Sequence, residues 1–142
     1  MIDRPRIRTR HADLSLEEVA EALPGTGELM ASVAHCQAMA WHAAVGGNWD
    51  LAAYYWRRTR SLLRGLAVIR PKYADQVREF DLEHLEPAYQ ALLARDLSAF
   101  RARFDAATER ANRYHVETGH AYIRWRVPDE PPEKGLELTA VD

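Results

Sequence analysis

The chain has 142 residues and a mass of 16.2 kDa, which fits one domain large enough to bury a core without disulfides. Its net charge of −2 and pI near 6.3 give no overall attraction to nucleic acid or anionic membranes. A single cysteine, Cys36, excludes an intrachain disulfide and any multi-cysteine metal site.

The two ends of the chain carry opposite charge. Residues 1–11 hold four arginines and one aspartate, whereas residues 128–142 hold five acidic residues and one lysine. We predict a basic arm over 1–13, a helical domain over 14–127, and an acidic, proline-containing tail over 128–142 without fixed structure. The arm has no aromatic residue between its arginines, so we expect no nucleic-acid partner.

Neither a signal peptide nor a membrane span is indicated by the hydropathy of the chain. The first residues form no apolar run of signal-peptide length, and no stretch approaches the ~20 apolar residues that a membrane helix needs. We therefore expect a cytoplasmic protein without a membrane partner.

The first predicted helix is short and runs from Leu14 to Leu23. Asp13 or Ser15 can cap it, and the Pro24-Gly25 pair ends it. Its few apolar residues lie on one side, so we expect this helix to pack on the surface of the domain as a lid or bracket, outside the core.

Two long helices follow with clear boundaries. The first starts after Thr26 and runs to about Val45, with an apolar seam of Leu29, Val33, Cys36, Ala40 and Ala43. Gly46-Gly47 ends it, and Asn48 caps a second helix that begins at Trp49. Arg70 precedes Pro71 and is pushed out of the helical region, which ends the second helix.

The third and fourth long helices are predicted over about 72–95 and 98–118. Pro87 lies inside the third, where it kinks the helix or restarts it. Ser98 can cap the fourth and Gly119 can end it. Connections of two to four residues favour an all-α, antiparallel up-down four-helix bundle, with residues after Gly119 extended along it.

Aromatic residues concentrate at the start of the second long helix and could line a ligand pocket with Trp41 of the first. The alternative is that they plug one end of the bundle. The candidate ligand-binding residues are Trp41, His42, Trp49, Tyr55, Trp56 and Tyr114.

Two histidines are candidates for acid–base chemistry. His115 lies near the end of the fourth helix, and His84 lies on the apolar face of the third. No nucleophile elbow, phosphate loop or carboxylate pair points to a reaction, so the sequence leaves open whether this is an enzyme. His35 and His42 are seven residues apart, too far to bind one metal, and we predict no metal site.

The bundle pattern, the segment Gly47–Tyr54 and the window Ala111–His115 resemble the small c-type cytochromes related to cytochrome c′. In that family a Cys-x-x-Cys-His motif near the end of the last helix attaches haem, and the histidine is an iron ligand. This chain keeps His115 but has Ala111 and Tyr114 at the cysteine positions. The resemblance thus implies a degenerate haem motif without covalent haem. Non-covalent haem on His115 stays possible, and no other cofactor is expected.

The family resembled often dimerises through its first two helices, so the resemblance also implies a homodimer. We therefore predict a ligand-binding or interaction module that self-associates or binds a protein partner. A small-molecule enzyme using His115 or His84, and a protein that binds haem without covalent attachment, are the alternatives.

Overall fold

The computed structural model describes residues 3–142, and the chain is mostly helical. The strands are β1 (Arg6–Arg8) and β2 (Asp13–Ser15), and the helices are α1 (Leu16–Ala22), α2 (Thr26–Gly46), α3 (Trp49–Ile69), α4 (Ala74–Phe80), α5 (Glu86–Leu93) and α6 (Leu97–Glu117). A 3-10 turn at Pro71–Tyr73 precedes α4, and a π-helical turn at Asp81–Leu85 joins α4 to α5.

The basic arm forms a small antiparallel hairpin, although its sequence predicted no strand. β1 pairs with β2 so that Ile7 lies opposite Leu14. The turn is closed by Thr9, whose hydroxyl oxygen accepts from the backbone N–H groups of His11 and Ala12 at 3.2 and 3.0 Å. The turn closed by Thr9 brings β1 and β2 together, although the residues of the arm have a weak preference for strands.

Helix α1 begins with the cap that the sequence offered. The Ser15 hydroxyl accepts from the Glu18 backbone N–H at 3.1 Å, and the Glu18 carboxylate accepts from the Ser15 N–H at 3.2 Å. These reciprocal bonds form a capping box. No residue of α1 is buried, as expected of an element outside the core.

Helices α2 and α3 form the most closely packed pair. Gly47 adopts a left-handed conformation with φ of 94°, and the Asn48 side chain accepts from the Leu51 N–H at 3.2 Å to cap α3. Both features confirm the predicted helix boundary. The predicted seam on α2 is buried at all five positions, Leu29, Val33, Cys36, Ala40 and Ala43.

The third helical segment is interrupted, as Pro87 predicted. Proline has no N–H, so the carbonyl of Glu83 loses its normal helical donor, and the chain widens into the π-helical turn before α5. Arg60 from α3 holds this turn. Its guanidinium bonds the Asp81 carboxylate at 2.7 and 3.0 Å and lies 2.5 Å from Glu86.

The cap of α6 differs from the prediction. Asp96, and not Ser98, accepts from the Ala99 backbone N–H at 3.0 Å, so α6 begins at Leu97. Arg95 adopts a positive φ of 55° before it and turns the chain, which leaves Asp96 in the extended conformation of a cap. Gly119 takes a φ of 83° just beyond the helix, as predicted.

The long helices enclose one core. α3 packs on α2, α4 and α5, and α6 packs on α4, α5 and α2. Small residues let the helices approach, and aromatic rings fill the centre. The residues with no exposed surface are Met39, Ala40, Ala43, Ala52, Trp56, Ala88, Phe100 and Ala107.

The acidic tail is docked on the helices, which corrects the expectation of an unstructured segment. The His42 ring nitrogen Nε2 lies 2.9 Å from the Pro128 carbonyl. Asn48 bonds the carbonyls of Glu137 and Leu138 through its side chain and backbone, at 2.9 and 3.2 Å. Because these contacts use backbone carbonyls of the tail, its composition gives no sign of them.

Candidate ligand-binding cavity

A cavity of about 370 Å³ lies where α2 and α4 begin and α3 and α6 end, next to the residues that follow α6. Its volume is within the range of about 300–1,000 Å³ that is usual for small-molecule sites. The lining residues are Thr26, Gly27, Met30, Val33, Gln37, Thr59, Leu63, Leu66, Arg70, Tyr73, Gln76, Val77, Phe80, Leu85, Ala111, Tyr114, His115, Thr118, His120, Ile123 and Trp125.

Most of this wall is apolar, because each helix turns its core-facing residues toward the same space. Leu63 and Leu66 come from α3, Phe80 from α4, and Met30 and Val33 from α2. Such a wall favours an apolar ligand, since removing apolar surface from water contributes about 25 cal/mol per Å².

Three polar atoms of the lining residues are buried without a hydrogen-bond partner among the described residues. They are Gln76 Oε1, His115 Nδ1 and Trp125 Nε1. A buried polar group left unpaired costs about 1–3 kcal/mol, and native structures contain few. The indole nitrogen is a donor, the amide oxygen is an acceptor, and the imidazole nitrogen is either, according to its tautomer. All three residues line the cavity, so unpaired donor and acceptor atoms lie in or directly behind its wall.

The surroundings of His115 favour its neutral form. Burial lowers the pKa of His115, and the nearby His120 lowers it further. Thr118 bonds the carbonyl of His115 at 3.3 Å, and its hydroxyl lies 3.1 Å from the His120 ring nitrogen Nδ1. A neutral imidazole can accept or donate a hydrogen bond, or bind a metal, without a charge to desolvate.

Tyr114, beside His115, is fixed by a charged cluster at the cavity wall. Its hydroxyl donates to the Glu79 carboxylate, which also accepts from Arg110 at 2.9 Å. The Arg110 guanidinium lies 3.8 Å from the centre of the Tyr114 ring and bonds Glu117 at 3.1 Å. Burial and the Glu79 bond raise the pKa of Tyr114 to about 12, so the phenol stays neutral and supplies a rigid wall.

Of the predicted ligand-binding residues, only Tyr114 lines this cavity. Trp56 is fully buried, donates from Nε1 to the Leu85 carbonyl at 2.9 Å, and packs on Phe100. Trp41 packs on Phe104 with ring centres 4.8 Å apart. Trp49, Tyr55 and His42 are half-buried and also lie outside the cavity. The tryptophans Trp41, Trp49 and Trp56 therefore fill the core and its edge and do not line this cavity.

The two candidate catalytic histidines do not meet in the cavity either. His115 lines it, whereas His84 lies in the π-helical turn with its ring centre 5.7 Å from that of Phe80. Burial lowers the pKa of His84. The cavity thus offers a single candidate base from the predicted pair.

A second cavity of about 360 Å³ lies beneath the tail, and Gln37 and Trp125 line both cavities. The hydroxyl of Thr108 in its wall is also buried without a partner among residues 3–142. The side chain of Trp125 therefore lies between the two cavities. Its position could not be derived from the sequence, because it follows the last helix in a segment without regular structure.

The described residues contain no group of three or more His, Cys, Asp or Glu side chains suited to a metal ion. Cys36 is buried, and burial raises the pKa of its thiol, as is typical of an inert core cysteine. No helix within residues 3–142 has the length and apolar character of a membrane span.

Comparison with protein-family models, curated proteins and solved structures finds no match to this chain.

Proposed function

We propose that this protein is a small-molecule-binding module whose ligand occupies the cavity beside His115. The observation that carries the proposal is an apolar cavity with unpartnered polar atoms on Gln76, His115 and Trp125. The matching ligand has an apolar body and at least one hydrogen-bonding group. We also propose that the long helices form an antiparallel up-down four-helix bundle, in which α4 and α5 together make one interrupted helix.

A neutral fluorescent probe, N-phenyl-1-naphthylamine, tests this site directly. Its emission rises in apolar surroundings, so we expect a saturable increase with the wild-type protein. Ala111→Phe places a ring in the cavity, and we expect it to weaken binding by about tenfold or more, equivalent to about 1.4 kcal/mol.

Ala102→Phe is the matched control, because Ala102 is exposed on the same helix and lines neither cavity. It should bind the probe as the wild type does. No saturable binding to the wild type, or equal binding to both variants, would overturn the proposal.

Non-covalent haem is a second candidate occupant, favoured by the neutral imidazole of His115. Haem binding needs an axial ligand and an apolar pocket, and His115 and the apolar wall match these two needs. Haem would supply redox or gas-binding chemistry, while the protein would supply the ligand and the apolar surroundings. A Soret band that appears on adding haem and weakens in His115→Ala supports this candidate. A spectrum equal to that of free haem rules it out.

We also propose that the protein self-associates in the cytoplasm. Several large apolar side chains are exposed, among them Val68 on α3, Leu82 in the π-helical turn and Val116 on α6, at 77%, 64% and 60%. A light-scattering mass above that of one chain at micromolar concentration supports self-association, and the mass of a single chain contradicts it.

A further inference from the structure

We infer that the ligand of this cavity is an amphipathic anion, such as a monocarboxylate, whose acidic head binds Arg70 while its apolar body fills the cavity. The inference rests on the proposed function and specifies its ligand class.

The formal charges of the lining residues are one-sided. Arg70 is the single lysine or arginine among the lining residues, and none of them is an aspartate or glutamate. The two lining histidines add no negative charge. Glu79, behind the lining residue Tyr114, is already paired with Arg110. A cationic ligand would therefore meet a like charge at Arg70, whereas an anionic one meets an opposite charge.

The side chain of Arg70 is held in place by one hydrogen bond, and its remaining N–H groups, unpaired within residues 3–142, are free to bind a ligand. Its backbone N–H bonds the Leu66 carbonyl at 2.8 Å and ends α3, and its Nε donates to the Thr26 hydroxyl at 2.9 Å. Its terminal nitrogens make no hydrogen bond or ion pair with any residue from 3 to 142. By contrast, Arg60 and Arg110 each bond two carboxylates.

The location of Arg70 suits the head group of an amphipathic molecule. Its side chain is exposed, although it lines a cavity whose other walls include Met30, Leu63 and Leu66. A carboxylate there remains hydrated while the hydrocarbon part is removed from water, so the charge is not desolvated in the apolar interior. The two free ends of the guanidinium match the two oxygens of a carboxylate.

The test compares ligands that differ only in the head group. Octanoate, octan-1-ol and octylammonium are titrated against protein loaded with N-phenyl-1-naphthylamine, and displacement of the probe is measured. For the wild type we expect octanoate to bind about tenfold or more tighter than octan-1-ol, and octylammonium to bind weakest. In Arg70→Gln the advantage of octanoate over octan-1-ol should disappear while octan-1-ol binds unchanged. Arg70→Lys should keep part of the advantage.

Arg78→Gln is the control, because Arg78 is exposed on α4 and does not line the cavity. Equal affinities for octanoate and octan-1-ol, or an advantage that survives Arg70→Gln, would overturn the inference and leave the binding site standing. Failure of the probe itself to bind would instead overturn the proposed function, so the two failures are distinguishable.

Discussion

The side-chain amide of Asn112 pairs with the backbone of Trp125 in both directions. Asn112 Nδ2 donates to the Trp125 carbonyl at 3.0 Å, and its Oδ1 accepts from the Trp125 N–H at 2.7 Å. The Asn112 side chain on α6 therefore bonds the segment that follows the helix in the way that a neighbouring β-strand would. This pair places the indole of Trp125 between the two cavities.

Asn112→Ala should release this segment without unfolding the helices. Losing the pair costs about 1–3 kcal/mol locally, since each of its two hydrogen bonds contributes about 0.5–1.5 kcal/mol. We expect the Trp125 amide to exchange its hydrogen about tenfold faster, because 1.4 kcal/mol corresponds to a factor of ten. Hydrogen-exchange mass spectrometry of residues 121–128 measures the effect.

Arg113→Ala is the control for this change, because Arg113 is the exposed neighbour on α6. It should leave the exchange of the segment unchanged. Equal protection in the Asn112 variant and the wild type would show that the pair does not hold the segment.

The helices of this fold could be predicted from local signals. The Gly47 break, the Asn48 cap and the left-handed Gly119 act within one turn of the residues that specify them. Wherever two residues compete for such a role, the sequence is ambiguous. Both Asp96 and Ser98 can cap a helix, and the positive φ of Arg95 decides between them.

The cavity could not be predicted, because it depends on contacts between elements far apart in the chain. Arg70 and Thr26 are 44 residues apart, and Asn112 and Trp125 are joined across a segment without periodicity. Aromatic density at Trp49–Trp56 favoured a pocket there, yet Trp56 turns inward to bond the carbonyl of Leu85. Periodicity identifies the face of a helix but not the partner that covers it.

A pair of glycine substitutions tests the docking of the tail. A Cβ at Gly46 would lie 2.2 Å from the carbonyl oxygen of Leu138, whereas a Cβ at Gly65 would meet nothing within 4 Å. Gly65→Ala should stabilise α3 by about 0.5–1 kcal/mol, because alanine loses less entropy on folding. Gly46→Ala should instead displace the tail and break its bonds to Asn48.

Urea denaturation of the two variants measures the contrast. We expect Gly46→Ala to be less stable than Gly65→Ala by about 1–3 kcal/mol, the range for losing the two hydrogen bonds between Asn48 and the tail. Removing residues 136–142 should abolish the penalty at Gly46, since the clashing carbonyl is then absent. An equal gain in stability from both alanines would show that the tail does not pack on Gly46.

The half-buried histidines His115 and His84 predict how stability changes with pH. Burial lowers the pKa values of His115 and His84 from the ordinary value of 6.5, so the folded protein binds fewer protons than the unfolded chain near that pH. Their contribution to stability is complete above pH 6.5 and is lost as pH falls through the lowered pKa values. The pKa values of Glu79 and Glu86 are also lowered, but from 4.5, so their stabilising effect is lost only at more acidic pH.

The measurement is the free energy of unfolding at pH 7.5 and pH 5.5, in the wild type and in His115→Gln. Glutamine removes the titrating group and keeps a polar side chain, so we expect the variant to lose less stability than the wild type on acidification. His11→Gln is the control, because His11 is exposed in the hairpin turn, and it should follow the wild type. An equal loss of stability between the two pH values in His115→Gln and in the wild type would show that folding does not lower the pKa of His115. The neutral imidazole in the cavity would then be contradicted.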